Sequence, residues 1–167
     1  GKVVEEGLAG HDHRILPVAK DKGSVVAPAH YGFRSFDRQW VIPDARLLNQ
    51  PNPTLWRVHS DKQVYLTALM QHSPTGGPAV TFSALIPDLH HYKGSFGGRA
   101  FPLWADSAAA TPNIPAAVLA ALSSALDAPV SAPDLLAYIA AVAAHPAYVT
   151  RFATDLMQPG LRIPLTT

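Results

Sequence analysis

Twelve residues, Asp88-Leu89-His90-His91-Tyr92-Lys93-Gly94-Ser95-Phe96-Gly97-Gly98-Arg99, hold two cations, two histidines, two aromatics and three glycines. That mix suits an anion. Glycines let backbone N–H groups approach a phosphate, Lys93 and Arg99 supply charge, and His91 or Tyr92 can stack on a base or bond to its edge. A second segment, Phe33-Arg34-Ser35-Phe36-Asp37-Arg38-Gln39-Trp40, interleaves three aromatics with Arg34 and Arg38, and an arginine fork grips guanine or phosphate. Gln71 completes the candidate set. Each segment also has a plainer reading: a Gly-rich surface loop for the first, and an Asp37–arginine pair bracing a turn for the second.

Catalytic motifs are not evident. Gly94-Ser95-Phe96-Gly97-Gly98 puts Phe where a nucleophile elbow needs serine. The Lys-Gly-Ser triplets at 22–24 and 93–95 reverse the order of a phosphate loop, and no dinucleotide fingerprint stands between a strand and a helix. His11-Asp12-His13 and Asp88-Leu89-His90-His91 cluster possible zinc ligands. Neither has the one-face helical spacing of a metalloprotease motif, so a metal-dependent hydrolase is a minor alternative. The chain has no cysteine, which removes thiol chemistry and disulfides and fits a reducing, cytoplasmic setting.

The elements that must position these residues change character near Trp104. Residues 1–104 carry 11 Lys/Arg against 8 Asp/Glu and seven of the eight histidines, whereas 105–167 carry 2 against 4. A polyanion therefore belongs on the first part, although the overall charge of +1 is modest for a strong nucleic-acid binder. Short apolar runs at 24–27, 38–42, 64–70 and 79–86 predict strands, the last by strict alternation of Val80, Phe82, Ala84 and Ile86. The connection 71–78, with Ser-Pro and Gly-Gly, serves as a hairpin or longer loop between two of them.

After Trp104 the spacing becomes helical. Pro115 opens a helix to about Leu126; Ser131-Ala132-Pro133-Asp134 forms a capping box for a second that ends at His145-Pro146; a third carries Tyr148 to Met157. The expectation is an α+β fold, β-rich in its N-terminal two-thirds, with a C-terminal unit of about three helices. At 167 residues it is one domain: a lead-in at 1–23, a β-rich part at 24–104 that would face the polyanion, and a helical part at 105–167. The start at Gly1, with neither an initiator Met nor a signal-peptide core, suggests a piece of a longer protein. The uncharged stretches 63–87, 107–126 and 135–150 are each broken by Pro, Gly or His-Pro, so none reads as a membrane span.

The segment Phe33–Trp40 resembles the Tyr-Arg-Pro-Phe-Asp signature near the C-terminus of Type ISP restriction–modification enzymes and related adenine-specific DNA methyltransferases. Ile86-Pro87-Asp88-Leu89-His90, Phe101-Pro102-Leu103-Trp104, the helix pair through Tyr138 and Tyr148, and Arg162-Ile163-Pro164-Leu165 follow in the family's order. Phe33 and Ser35 replace the signature's Tyr and Pro, and residues 1–23 match none of its motifs. The resemblance implies a noncatalytic specificity, or target-recognition, module for double-stranded DNA, joined to methyltransferase and coupling domains in the parent chain. S-adenosylmethionine, ATP and Mg²⁺ would bind those other domains, and none of them this fragment. The family gives no residue map, so Lys93, Arg99, His91, Tyr92, Arg34, Arg38 and Gln71 are DNA-contact candidates by chemistry alone. The rival within the same reading is a structural cap that docks on the methyltransferase or coupling domain without reading bases, which the low net charge favours.

Overall fold

The computed structural model describes residues 8, 16–23, 26–69, 80–92, 98–158, 160 and 163–165. Among them the fold is α+β: two small antiparallel sheets, then helices concentrated in the C-terminal part. Strands β1 (Ala29–Arg34) and β2 (Asp37–Val41) form a ribbon around a two-residue turn, Ser35-Phe36. The second sheet has the order β4-β3-β5, with β3 at Tyr65–Leu69, β4 at Val80–Ser83 and β5 at Gly98–Pro102. The expected pairing of the runs on either side of 71–78 is the β3–β4 ladder, with Leu66 opposite Phe82.

Strand β3 reads as a continuous run rather than an alternation because both its faces are covered: Tyr65, Leu66, Thr67 and Ala68 are all buried. Leu66 and Ala68, with Val80 of β4, pack under helix α3 (Ala132–Ala144), against Ala143, Leu136 and Ile139. The opposite face is polar, with the Thr67 and Thr81 hydroxyls 2.5 Å apart. One sheet thus has an apolar face toward the helices and a hydrogen-bonding face toward the ribbon.

The ribbon is fastened beside that second face by backbone bonds to the segment that follows β4. The Gly32 N–H donates to the Ile86 carbonyl and the Asp88 N–H to the Gly32 carbonyl, both at 2.9 Å, so Gly32 and Pro87 form a parallel bridge. A Cβ on Gly32 would lie 3.3 Å from the Ser83 hydroxyl, so glycine permits this approach. The alternation expected through Ile86 stops at Ser83, whose hydroxyl bonds Leu85 in a turn that redirects the chain toward Gly32.

Helix α1 (Pro53–Arg57) is a single turn capped by Asn52. Helix α2 spans Ala116–Leu126, with Pro115 before it, and α3 has the expected capping box: Asp134 N–H to the Ser131 hydroxyl, and Ser131 N–H to the Asp134 carboxylate at 2.9 Å. The expected third helix is divided into α4 (Pro146–Arg151) and α5 (Ala153–Leu156), because Phe152 leaves helical geometry at φ −106°, ψ 22°. Residues 26–28 are not in a strand, and 24 and 25 lie outside the described residues. Leu8 is buried, and Arg46 reaches back to the lead-in through Asp21 at 2.9 Å and the Leu16 carbonyl at 2.8 Å while gripping Asp44 at 2.6 Å. No helix among the described residues is long and apolar enough to cross a membrane.

Candidate nucleic-acid interface

The two chemistry-bearing segments, far apart in sequence, meet in space. Gly32 of the ribbon lies beside Pro87, and from there the chain turns through Asp88, which accepts backbone N–H bonds from His90 at its carboxylate and from His91 at its carbonyl. His91 is buried. Its Nε2 lies 2.9 Å from the Thr81 hydroxyl and 3.3 Å from the Ser35 hydroxyl at the ribbon's turn. The Tyr92 hydroxyl closes the set on Thr67 at 3.2 Å. Ser35, His91, Thr81, Thr67 and Tyr92 therefore form one side-chain network joining the ribbon tip to the sheet. Burial holds the His91 imidazole below its ordinary range, as a neutral ring, and pushes the Tyr92 phenol up.

Gly98 belongs to this arrangement for a local reason. A Cβ there would come within 2.6 Å of the Tyr92 ring and 3.2 Å of the Ala68 carbonyl. The Tyr92 ring lies across β5 where only glycine leaves room.

Between the ribbon and the second sheet runs a cleft of about 620 Å³, with Tyr31, Phe33, Trp56, His90, Tyr92 and Arg99 among its walls. Of the candidate residues, the structure brings His91, Tyr92 and Arg99 together here. Arg99 is exposed, and no described residue pairs with it. Arg34 lies with its guanidinium carbon 5.0 Å from the centroid of the Phe33 ring. Arg38 projects from the opposite face of the ribbon, exposed and likewise unpaired among the described residues. The Asp37–arginine brace does not form: the Asp37 carboxylate accepts from the Gln39 side chain at 2.8 Å. Lys93 and Gln71 lie outside the described residues, as does His11-Asp12-His13. Among the described residues, no three His, Asp or Glu side chains converge in a way that could hold a metal ion.

The ribbon's outer face was the least legible part. His30, Arg38 and Trp40 share it, because His30 is paired with Trp40 and Gly32 with Arg38 in the ladder. The His30 and Trp40 rings stack with centroids 3.7 Å apart, and Trp40 is still 66% exposed. Phe36, at the tip, is wholly exposed and has φ 68°. The surface that results carries one exposed cation, Arg38, beside the exposed His30 and Trp40 rings, and it is closed off at Gly32, where the 83–86 segment packs against the ribbon.

No curated protein and no solved structure matches the chain. A family model does: that of the Type ISP C-terminal specificity domain matches residues 9–167, upstream as well as downstream of the Phe33–Trp40 signature. The match across nearly the whole length makes this chain a member of the Type ISP C-terminal specificity domain family.

Proposed function

We infer that the chain serves target recognition in a restriction–modification enzyme, the role that its family membership supports. We propose that it fulfils this role by direct contact with duplex DNA, without catalysis of its own, on behalf of a parent that methylates adenine, and that the β1–β2 ribbon with the cleft behind it is the contact surface. The observation that carries this reading is the outer face of the ribbon: unpaired Arg38 beside the stacked, exposed Trp40 and His30. A two-stranded ribbon fits the major groove of B-DNA, where arginine reads guanine through two hydrogen bonds. Arg99 at the cleft holds phosphate and fixes register, and Lys93 and Gln71 are further contacts by the chemistry of their side chains alone. His91 and Tyr92 act from within, as the groups that hold the ribbon at its angle.

The test is a titration of the full parent chain against DNA at two salt concentrations. Arg99→Ala weakens binding to all sequences alike and lowers the salt slope, while Arg38→Ala relaxes preference at one base pair. Unchanged affinity, slope and preference in both variants would sink the assignment.

The docking-cap reading keeps one supporting observation. Helix α2 has no charged residue and no buried one; Val118 and Leu126 are exposed. Its apolar side is suited to the parent's neighbouring domain, which leaves the ribbon, at the far side of the sheet from α3, for DNA.

A further inference from the structure

Phe36 occupies its place at a double cost. A wholly exposed phenyl ring contributes nothing to the core, and a left-handed backbone at φ 68° is one that glycine or asparagine fills far more readily. Either residue would make the same turn, so the fold does not explain the ring. The turn is nevertheless held with care. Arg34 and Asp37 stand opposite each other in the backbone ladder at its mouth, Gln39 secures the Asp37 carboxylate, and the Ser35 hydroxyl is bonded to buried His91, itself fixed to Thr81. The outcome is an apolar ring on a short, braced arm, with Arg34 and Arg38 two residues to either side.

Resting on the DNA-contact reading above, we infer that Phe36 is a wedge: its ring enters the base stack of the target and unstacks one step. Apolar side chains inserted between base steps unstack them in part and kink the duplex. Chemistry on a base requires that base to leave the stack, and a ring entering from the ribbon would fill the space it vacates. A solvent-facing apolar tip beside the exposed Arg38 fits a stack of bases bounded by phosphates better than an apolar protein pocket, where that arginine would lose water without gaining a partner.

The experiment uses the full parent chain, without ATP, on a long phage DNA that contains many short sequences. Permanganate marks unstacked thymines and diethyl pyrocarbonate unstacked adenines; filter retention of the same DNA is measured alongside. The wild-type chain should produce recurring sites several-fold more reactive than free DNA. Phe36→Asn, which keeps the left-handed turn, should lose that reactivity, and Phe36→Trp should keep it. DNA retained without reactive sites, or sites equally reactive with Phe36→Asn, overturns the wedge and leaves the DNA-contact reading standing. If Phe36→Asn lowers the melting temperature of the parent while the reactive sites persist, the ring docks on protein and the wedge is overturned. Loss of all retention by the wild-type chain overturns the DNA reading and the wedge together.

Discussion

Single side chains in this domain do two separate jobs, and the buried ones fix the exposed ones in place. Gln63 is the clearest case. Buried between sheet and loop, it donates to the Val58 carbonyl at 2.7 Å and the Trp104 carbonyl at 3.0 Å, and it accepts from the Trp104 N–H at 3.0 Å. Gln63→Leu leaves three backbone groups without partners, one buried at Val58 and two partly buried at Trp104, so it should cost roughly 2–4 kcal/mol in urea unfolding, more than an average core substitution of matched volume. The histidines make a pH prediction. Burial lowers both His59 and His91 from 6.5, so just below that value the unfolded chain takes up protons that the folded chain refuses. Stability should be level on the alkaline side and fall as the pH drops below about 6.5, and His91→Gln should remove part of that fall; urea midpoints followed across this window measure it. Nothing in the sequence marks Gln63, His59 or Thr81, since a lone polar residue in an apolar run carries no signal of which backbone groups it will meet.

At the scale of elements, local chemistry was legible where an element depends mainly on itself. The Ser131–Asp134 box and the Leu135, Leu136, Ile139 spacing place α3 to the residue, and Ser131→Ala should destabilise the chain by about 1 kcal/mol by leaving the N-terminal amide groups of α3 unsatisfied, read as a shift in urea midpoint at unchanged slope. The boundary of α2 was equally plain, because Pro115 opens it and Asp127, in the left-handed region, closes it. Strands β2, β3 and β4 were legible as apolar runs, whereas β1 and β5 were not. In β1 Ala29, Tyr31 and Phe33 alternate with His30, Gly32 and Arg34, but Gly32 weakens the strand signal, and β5 runs from Gly98 to Pro102 with Arg99 between; each exists because another chain segment lies beside it. The ribbon turn was hidden for a related reason, since Ser35-Phe36 has none of the glycine or asparagine by which such turns announce themselves. Gly98→Ala tests the same dependence: its Cβ meets Tyr92 at 2.6 Å, so the Tyr92 ring must swing away and its bond to Thr67 should break, which tyrosine fluorescence and a lowered melting temperature would record.

For the molecule as a whole, the division between a basic first part and a slightly acidic second part becomes a division between faces. The second sheet is the boundary: α3 lies on its apolar side, and the ribbon and cleft on its polar side. If the two sides serve DNA and parent respectively, substitutions on them should separate by their response to salt. Removing Arg38 and Arg99 together should reduce the slope of log affinity against log salt by about 0.9 for each phosphate no longer neutralised, with affinity falling most at low salt. Val118→Glu and Leu126→Lys, on the exposed side of α2, should leave that slope unchanged and instead lower the parent's melting temperature or raise its sensitivity to proteolysis at the domain junction. The two sites lie on different elements and share no bonded partner among the described residues, so combining them should give additive effects. A reversed pattern, in which the α2 changes flatten the salt slope and the arginine changes loosen the parent, would put DNA on the helical side, and the polar face of the sheet would then be the docking surface.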